Sequence, residues 1–213
     1  MDYTIVIEEL ARVDAGVALS TAAHNSLSSG HIFLAGTEEQ KKKYLPKLAA
    51  GEALFAFGLT EPDAGSDSRG SKTKAEKSGD IWVINGSKIF ITNGSTPITS
   101  GIIVQTVSGK AQDGSPEFSC FIVEPGTLGF TTKTMHKKLM WRASNTSELY
   151  FTNVKVPESA MLGKKGEGSK QMLKTLDSGR LSIAAMGLGC AQGAYEAALA
   201  YAQQRQQFGK PLA

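Results

Sequence analysis

Apolar residues at Val6, Leu10, Val13 and Val17 recur with the spacing of one helical face, which predicts a helix from about residue 3 to 26. A second helix is expected after Gly36-Thr37, with Thr37 as N-cap, Glu38, Glu39 and Gln40 in the first turn, and a stop near Gly51. From about residue 54 to 162 the period drops to two. Runs at 81–84, 88–92, 101–107, 118–124, 130–134 and 147–156 lie between Gly, Pro, Asn and Asp, the pattern of short strands in a β-barrel or sandwich. Asn85-Gly86, between the first two runs, is a strong hairpin signal. Helical period returns after 163–168, through Met172, Leu173, Leu176, Leu181, Ile183 and Leu188, and is expected to reach about Gln207. The predicted class is α+β: a partial helical region over 1–53, a central β-domain over 54–162 and the start of another helical region over 163–213.

Composition narrows the functions open to this fold. The 213 residues suffice for a substantial core. A net charge of +3 arises from 23 basic and 20 acidic residues that are interspersed, so no basic stripe marks a nucleic-acid surface. Lys41, Lys42 and Lys43 follow Glu38 and Glu39 as a solvated helix face with local pairing. Cys120 and Cys190 are isolated and read as reduced core thiols, and His24, His31 and His136 lack metal-site spacing, so no metal is assigned. The apolar stretch 181–202 is interrupted by Gly187, Gly189, Gln192, Gly193 and Glu196, which favours a buried helix over a membrane span. Its Gly187–Gly193 run has the wrong spacing and no preceding strand for a dinucleotide fingerprint, and reads as helix packing. No signal or transit peptide is recognisable at the start.

Two segments carry chemistry. Residues 57–67, Phe-Gly-Leu-Thr-Glu-Pro-Asp-Ala-Gly-Ser-Asp, turn an apolar strand into a polar loop of small residues. Leu59 can cover a flat ring, Thr60 offers a hydroxyl, and Pro62, Gly65 and Ser66 suit a tight loop whose N–H groups meet phosphate or ring oxygens. The alternative is an ordinary strand-to-loop transition capped by Asp63 or Asp67. Residues 90–94, Phe-Ile-Thr-Asn-Gly, place an aromatic ring and the Thr92 hydroxyl on one strand face by alternation.

Taken together, Thr60-Glu-Pro-Asp-Ala-Gly-Ser-Asp67, Asn85-Gly-Ser-Lys-Ile-Phe-Ile-Thr-Asn93 and Arg205-Gln-Gln-Phe-Gly-Lys210 resemble, in the family's order, the motifs of acyl-CoA dehydrogenases. The resemblance covers essentially the whole chain and is nearest the short-chain, butyryl-type branch. It departs at Phe90, where the family usually has Trp, and at Met140, where many members carry Gly. It implies FAD as cofactor, with Phe57, Leu59, Thr60, Gly65, Ser66, Phe90, Ile91 and Thr92 along the flavin. Thr92 would donate near the hydride-accepting nitrogen, and Thr60 with the Leu59 backbone would serve the pyrimidine side. It also implies that Ser66, Asp177, Gly179 and Arg180 contact acyl-CoA, and that Arg205 and Phe208 reach the FAD of a neighbouring subunit. For Asp177 and Arg180 a local surface ion pair is the competing reading.

By the same resemblance the activity is oxidation of a short-chain acyl-CoA to the trans-2-enoyl-CoA, with electrons passed to an electron-transfer flavoprotein by a homo-oligomer, a dimer of dimers. The alternatives are an acyl-CoA oxidase, or a non-catalytic flavin- or acyl-binding or assembly module. Family members are much longer, so the chain reads as truncated at both ends. No catalytic residue is nominated: in most members the base lies beyond the matching region, and in a minority it lies at the position of Gly179. Glu61 reads as a structural carboxylate for backbone N–H groups. The chain alone is expected to be inactive and to hold FAD weakly or not at all. The expected compartment is the cytoplasm, or alternatively the mitochondrial matrix.

Overall fold

The computed structural model describes residues 1–213. Helix α1 (Asp2–Val13) stops at Asp14, whose backbone is extended and whose carboxylate accepts from the Gly16 and Val17 N–H groups at 2.7 and 3.2 Å. The single helix expected over 3–26 is therefore two. An Asp side chain that competes for backbone N–H groups ends one helix and starts the next. The new helix, α2 (Ala15–Ala22), continues through a π-helical turn (Ala23–Ser29) into α3 (Gly30–Ala35). Helix α4 (Glu38–Ala49) begins at Thr37 as expected, with Thr37 and Gln40 forming a reciprocal capping box.

The strands are β1 (Leu54–Gly58), β2 (Lys74–Ser78), β3 (Ile81–Thr92), β4 (Thr99–Lys110), β5 (Pro116–Val123), β6 (Phe130–Thr134), β7 (Thr146–Pro157) and β8 (Met161–Leu162). They order as β6-β7-β3-β2-β4-β5-β8, with β1 parallel to β4. The path does not close into a barrel. Lys74 opposite Val107 is the one register pair joining β2 to β4, so the sheet folds into two halves facing each other as a sandwich. Between the halves lie Trp82, Ile84, Leu149 and Phe151 from one side and Ile102, Val104, Phe121 and Val123 from the other. The alternate residues Ile103, Cys120 and Ile122 point the opposite way and pack with Phe55, Ile32, Leu48 and Met172 under the helices. Burial on both faces of β4 and β5 accommodates the unbroken triplets Ile102-Ile103-Val104 and Phe121-Ile122-Val123, which do not alternate.

Asn85-Gly86 does not make a hairpin. Strand β3 runs straight through it, and the turn lies at Gly79-Asp80, where the overlooked strand β2 pairs back from Ser78 opposite Ile81. Strand β7, as long as β3, pairs with both halves of it and overrides the local turn preference. The dipeptide instead makes a register shift, with Gly86 at φ +142 and so close to Thr73 that a Cβ would lie 2.6 Å from its hydroxyl oxygen. Strand β2, Lys-Ala-Glu-Lys-Ser, buries only Ala75, which left no alternation to read.

Helix α5 (Gly168–Gln204) packs on α1 and α2 through Ala185 and Met186 against Ile7, Ala11, Ala18 and Ala22. Gly189 and Gly193 allow the contact, since a Cβ on either would lie 2.1 Å from the carbonyl oxygen of Glu8 or Arg12. The helix is not buried along its apolar stretch: Leu181, Leu188 and Tyr195 are 65, 57 and 66 % exposed. It also ends three residues earlier than expected. Phe208 and Gly209, both at positive φ, turn a short hairpin of β9 (Gln206–Gln207) and β10 (Lys210–Pro211). No helix is long and apolar enough to cross a membrane. Both cysteines are unpaired, and burial pushes the Cys120 thiol up to about 12.

Candidate functional site

The two motifs meet along one seam. After β1 the chain crosses to β3, where the Ile89 N–H donates to the Thr60 carbonyl at 2.9 Å. Glu61 and Ala64 exchange backbone hydrogen bonds of 2.9 and 3.2 Å, closing a tight turn around Pro62 and Asp63. The Glu61 side chain turns inward. Its carboxylate accepts from the Lys72 N–H at 2.6 Å, the Thr73 N–H at 3.0 Å and the Lys88 ammonium at 2.8 Å. Lys88 also donates to the Leu59 carbonyl at 3.0 Å. The Lys88 side chain is 0 % exposed and that of Glu61 5 %. Glu61 is thus the structural carboxylate expected, while the role of Lys88 was not legible beforehand. A lone lysine in a strand carries no burial signal.

Electrostatics follow from this burial. Burial alone pushes the Glu61 carboxyl up, but Lys88 and the donors from Lys72 and Thr73 together outweigh it and hold it below the usual carboxylate value. For Lys88 burial is the largest influence and lowers the ammonium, with Glu61 opposing. A buried pair with its remaining lone pairs satisfied specifies one geometry, which here is the register of the 59–61 segment on β3.

Beyond Lys88 the β3–β7 pairing shifts register before Ile91, and Phe90 sits in the left-handed region at φ +62 with 61 % of its surface exposed. A bulky residue held there costs on the order of 1–3 kcal/mol and persists only where the surroundings enforce it. Simple alternation does not describe this stretch, because the bulge re-aims the ring. The Ile91 side chain lies in the sandwich core at 2 % exposure, leaving only its backbone for a ligand. Thr92 is half-buried. Asn93, also left-handed, anchors the strand end: its amide donates to the Ser20 carbonyl at 2.9 Å and its N–H to the Asn145 carbonyl at 3.1 Å.

Opposite, the Leu59 side chain lies in the core beneath the helices with Phe55, and Phe57 packs at the edge of the same cluster. Ser66 and Gly65 are exposed, and a Cβ at Gly65 would meet nothing within 4 Å. The Thr60 N–H finds no acceptor in the chain, and the hydroxyls of Thr60 and Thr92 make no hydrogen bond within it. These free donors, with an exposed ring beside them, are the chemistry a flat heteroaromatic ligand with edge acceptors needs. The segment containing Met140 is an exposed loop tied by Lys138, which donates to the Trp141 carbonyl at 2.9 Å, the Thr146 hydroxyl at 2.7 Å and the Ser144 carbonyl.

The remaining sequence candidates lie elsewhere. Asp177 and Arg180 pair at 2.6 Å on an exposed face of α5. Gly179 turns inward, where a Cβ would lie 2.7 Å from Leu27. Arg205 is exposed and Phe208 fully so, on the terminal hairpin. No hydrogen bond or ion pair joins any of these five residues to the Thr60–Thr92 seam.

Family models match in three consecutive stretches: acyl-CoA dehydrogenase, N-terminal domain over residues 1–52, middle domain over 56–154 and C-terminal domain over 166–213. A short-chain specific acyl-CoA dehydrogenase of Clostridium acetobutylicum is 47% identical over 212 residues, 100% of this chain and 55% of its own length. Among solved structures, butyryl-CoA dehydrogenase from Megasphaera elsdenii superposes with a TM-score of 0.90 at 47% identity, over 97% of this chain and 53% of its own. A glutaryl-CoA dehydrogenase from Mycobacterium smegmatis in complex with FADH2 gives 0.89 at 39% identity, over 97% and 51%. The chain spans about half the length of the curated relatives it matches.

Proposed function

The chain belongs to the acyl-CoA dehydrogenase family, and we propose that it carries the flavin-facing part of an enzyme that oxidises a short-chain acyl-CoA to the trans-2-enoyl-CoA and passes the electrons to an electron-transfer flavoprotein. The single observation that carries this reading is the seam itself: Lys88, Glu61 and the Ile89–Thr60 bond align two distant motifs and leave the Thr60 and Thr92 donors free beside Phe90. We place FAD there, along with the three-part organisation of 1–53, 54–162 and 163–213. When bound, FAD supplies a ring that accepts a hydride.

The chain's own residues hold and orient. The Thr92 hydroxyl donates near the hydride-accepting nitrogen, and Thr60 donates to the pyrimidine side. Phe90 covers the ring with a face smaller than that of an indole. Gly65, Ser66 and the backbone of Leu59 and Ile91 flank it, with Phe57 supporting β1 from beneath. Arg180, held by Asp177, offers a cation to an acyl-CoA phosphate or carbonyl. Gly179 supplies no base. Any side chain there meets Leu27 first, so its part is to bring α5 close to the π-helical turn. Arg205 and Phe208, exposed on their hairpin, would act on a neighbouring subunit's cofactor in a homo-oligomer.

Titrating the chain with FAD and following visible absorbance tests the reading. We expect a saturable spectral change that weakens roughly two- to twelvefold in Thr92→Val, the value of one hydrogen bond. Spectral changes indifferent to both Thr92→Val and Phe90→Ala would overturn the placement. Butyryl-CoA added anaerobically to the FAD-loaded chain is expected to leave the flavin oxidised. Rapid bleaching would mean that a base lies within these residues.

A further inference from the structure

Lys88 does more than close an ion pair. Its ammonium donates to the carbonyl of Leu59 as well as to Glu61. That carbonyl belongs to the same planar peptide unit as the N–H of Thr60, so charge drawn onto the oxygen leaves the N–H more acidic. The Thr60 N–H itself has no acceptor in the chain. The neighbouring peptide is fixed separately, its Thr60 carbonyl accepting from Ile89. A buried cation, aimed by a carboxylate that two backbone donors hold in place, therefore lies directly behind an unused donor.

We propose that Lys88 is a positioning and polarising residue for the Leu59–Thr60 peptide, making the Thr60 N–H a strengthened donor that favours the reduced, more negatively charged flavin over the oxidised form. This rests on the reading that Thr60 faces the pyrimidine side of FAD. Charge-assisted donors gain most where negative charge develops, and an effect relayed through one peptide is smaller than a direct contact but acts on the reduced state selectively.

The test separates the two layers. In the flavin-free chain, Lys88→Met is expected to move the Thr60 amide proton upfield while the Ile89 amide, which reports the adjacent seam bond, stays in place. With FAD, the ratio of affinities for dithionite-reduced and oxidised flavin is expected to fall about tenfold, equivalent to about 30 mV for a two-electron couple. A folded Lys88→Met with an unmoved Thr60 amide and an unchanged ratio would overturn the proposal and leave the pair a purely structural one. If Lys88→Met does not fold, Glu61→Gln serves instead: removing the carboxylate favours a neutral Lys88, and the Thr60 amide must shift in the same direction. If the parent chain binds no FAD, the flavin placement fails, and the Thr60 amide still decides whether Lys88 polarises that peptide.

Discussion

Strand β3 and helix α5 meet their neighbours in opposite ways. Strand β3 is closed on both sides: β2 and β7 take its backbone, the sandwich core takes Trp82, Ile84 and Ile91, and Glu61 with the Leu59 carbonyl takes its one buried charge. Helix α5 is closed along one stripe only, where Gly189 and Gly193 let α1 approach, while Leu181, Leu188, Tyr195 and Tyr201 face outward. Directional polar contacts specify one alignment of the candidate site. The helix contact depends instead on shape, and on side chains that are absent.

The sharpest way to break that comparison is Glu61→Ala. It strands a buried ammonium and two backbone donors, and should cost about 3–5 kcal/mol in urea unfolding. A loss under 1 kcal/mol would mean that water satisfies the seam. Next is Gly189→Val, which drives a side chain into the Glu8 carbonyl and should cost about 1–3 kcal/mol. Gly187→Ala, two residues away with nothing within 4 Å of the new Cβ, should be neutral or stabilising by up to about 1 kcal/mol. Equal effects at 187 and 189 would show that the close approach of α1 is not what the glycines provide.

Phe90→Gly divides stability from function: relief of the left-handed strain should raise stability by roughly 0.5–1 kcal/mol after the entropy cost of glycine, while flavin affinity falls. Acid offers a further probe. Glu61 has a lowered pKa in the folded chain, so its contribution is present above the unfolded value near 4.5 and is lost as pH falls through the lower folded value. Urea midpoints measured from pH 6 to 3 should therefore drop more steeply for the parent than for Glu61→Gln. The smallest effect is expected for Arg180→Ala, an exposed pair partner, where stability should change by no more than about 0.5 kcal/mol and only acyl-CoA affinity should respond.

Much of this architecture was legible in the residues. Periodicity located the helical regions and most strands where one face is buried, though not the break at Asp14 or the short α3, and Thr37 announced the start of α4 through a hydrogen bond only three residues long. Glu61 was identifiable as a carboxylate for backbone N–H groups from its place in the loop, but the donors that meet it, Lys72 and Thr73, lie 11 and 12 positions further on. Asn85-Gly86 misled. Its preference for a turn is worth little against a partner strand running its full length. Strand β2 carried no pattern, since one buried alanine in five residues has no period.

The sequence by itself determined what local chemistry can determine: element type for most segments, the Thr37 cap and the motifs that mark the family. Only the tertiary structure decided which atoms of those motifs are available. It turned Leu59 and Ile91 into the cores, raised Phe90 on a strained bulge and left the Thr60 N–H without an acceptor. It also paired Lys88 with Glu61 across 27 positions of sequence. The physical reason is range. A cap or a period is written within one turn or a few strand residues, whereas burial and hydrogen-bond satisfaction are set by whichever distant segment arrives to complete them.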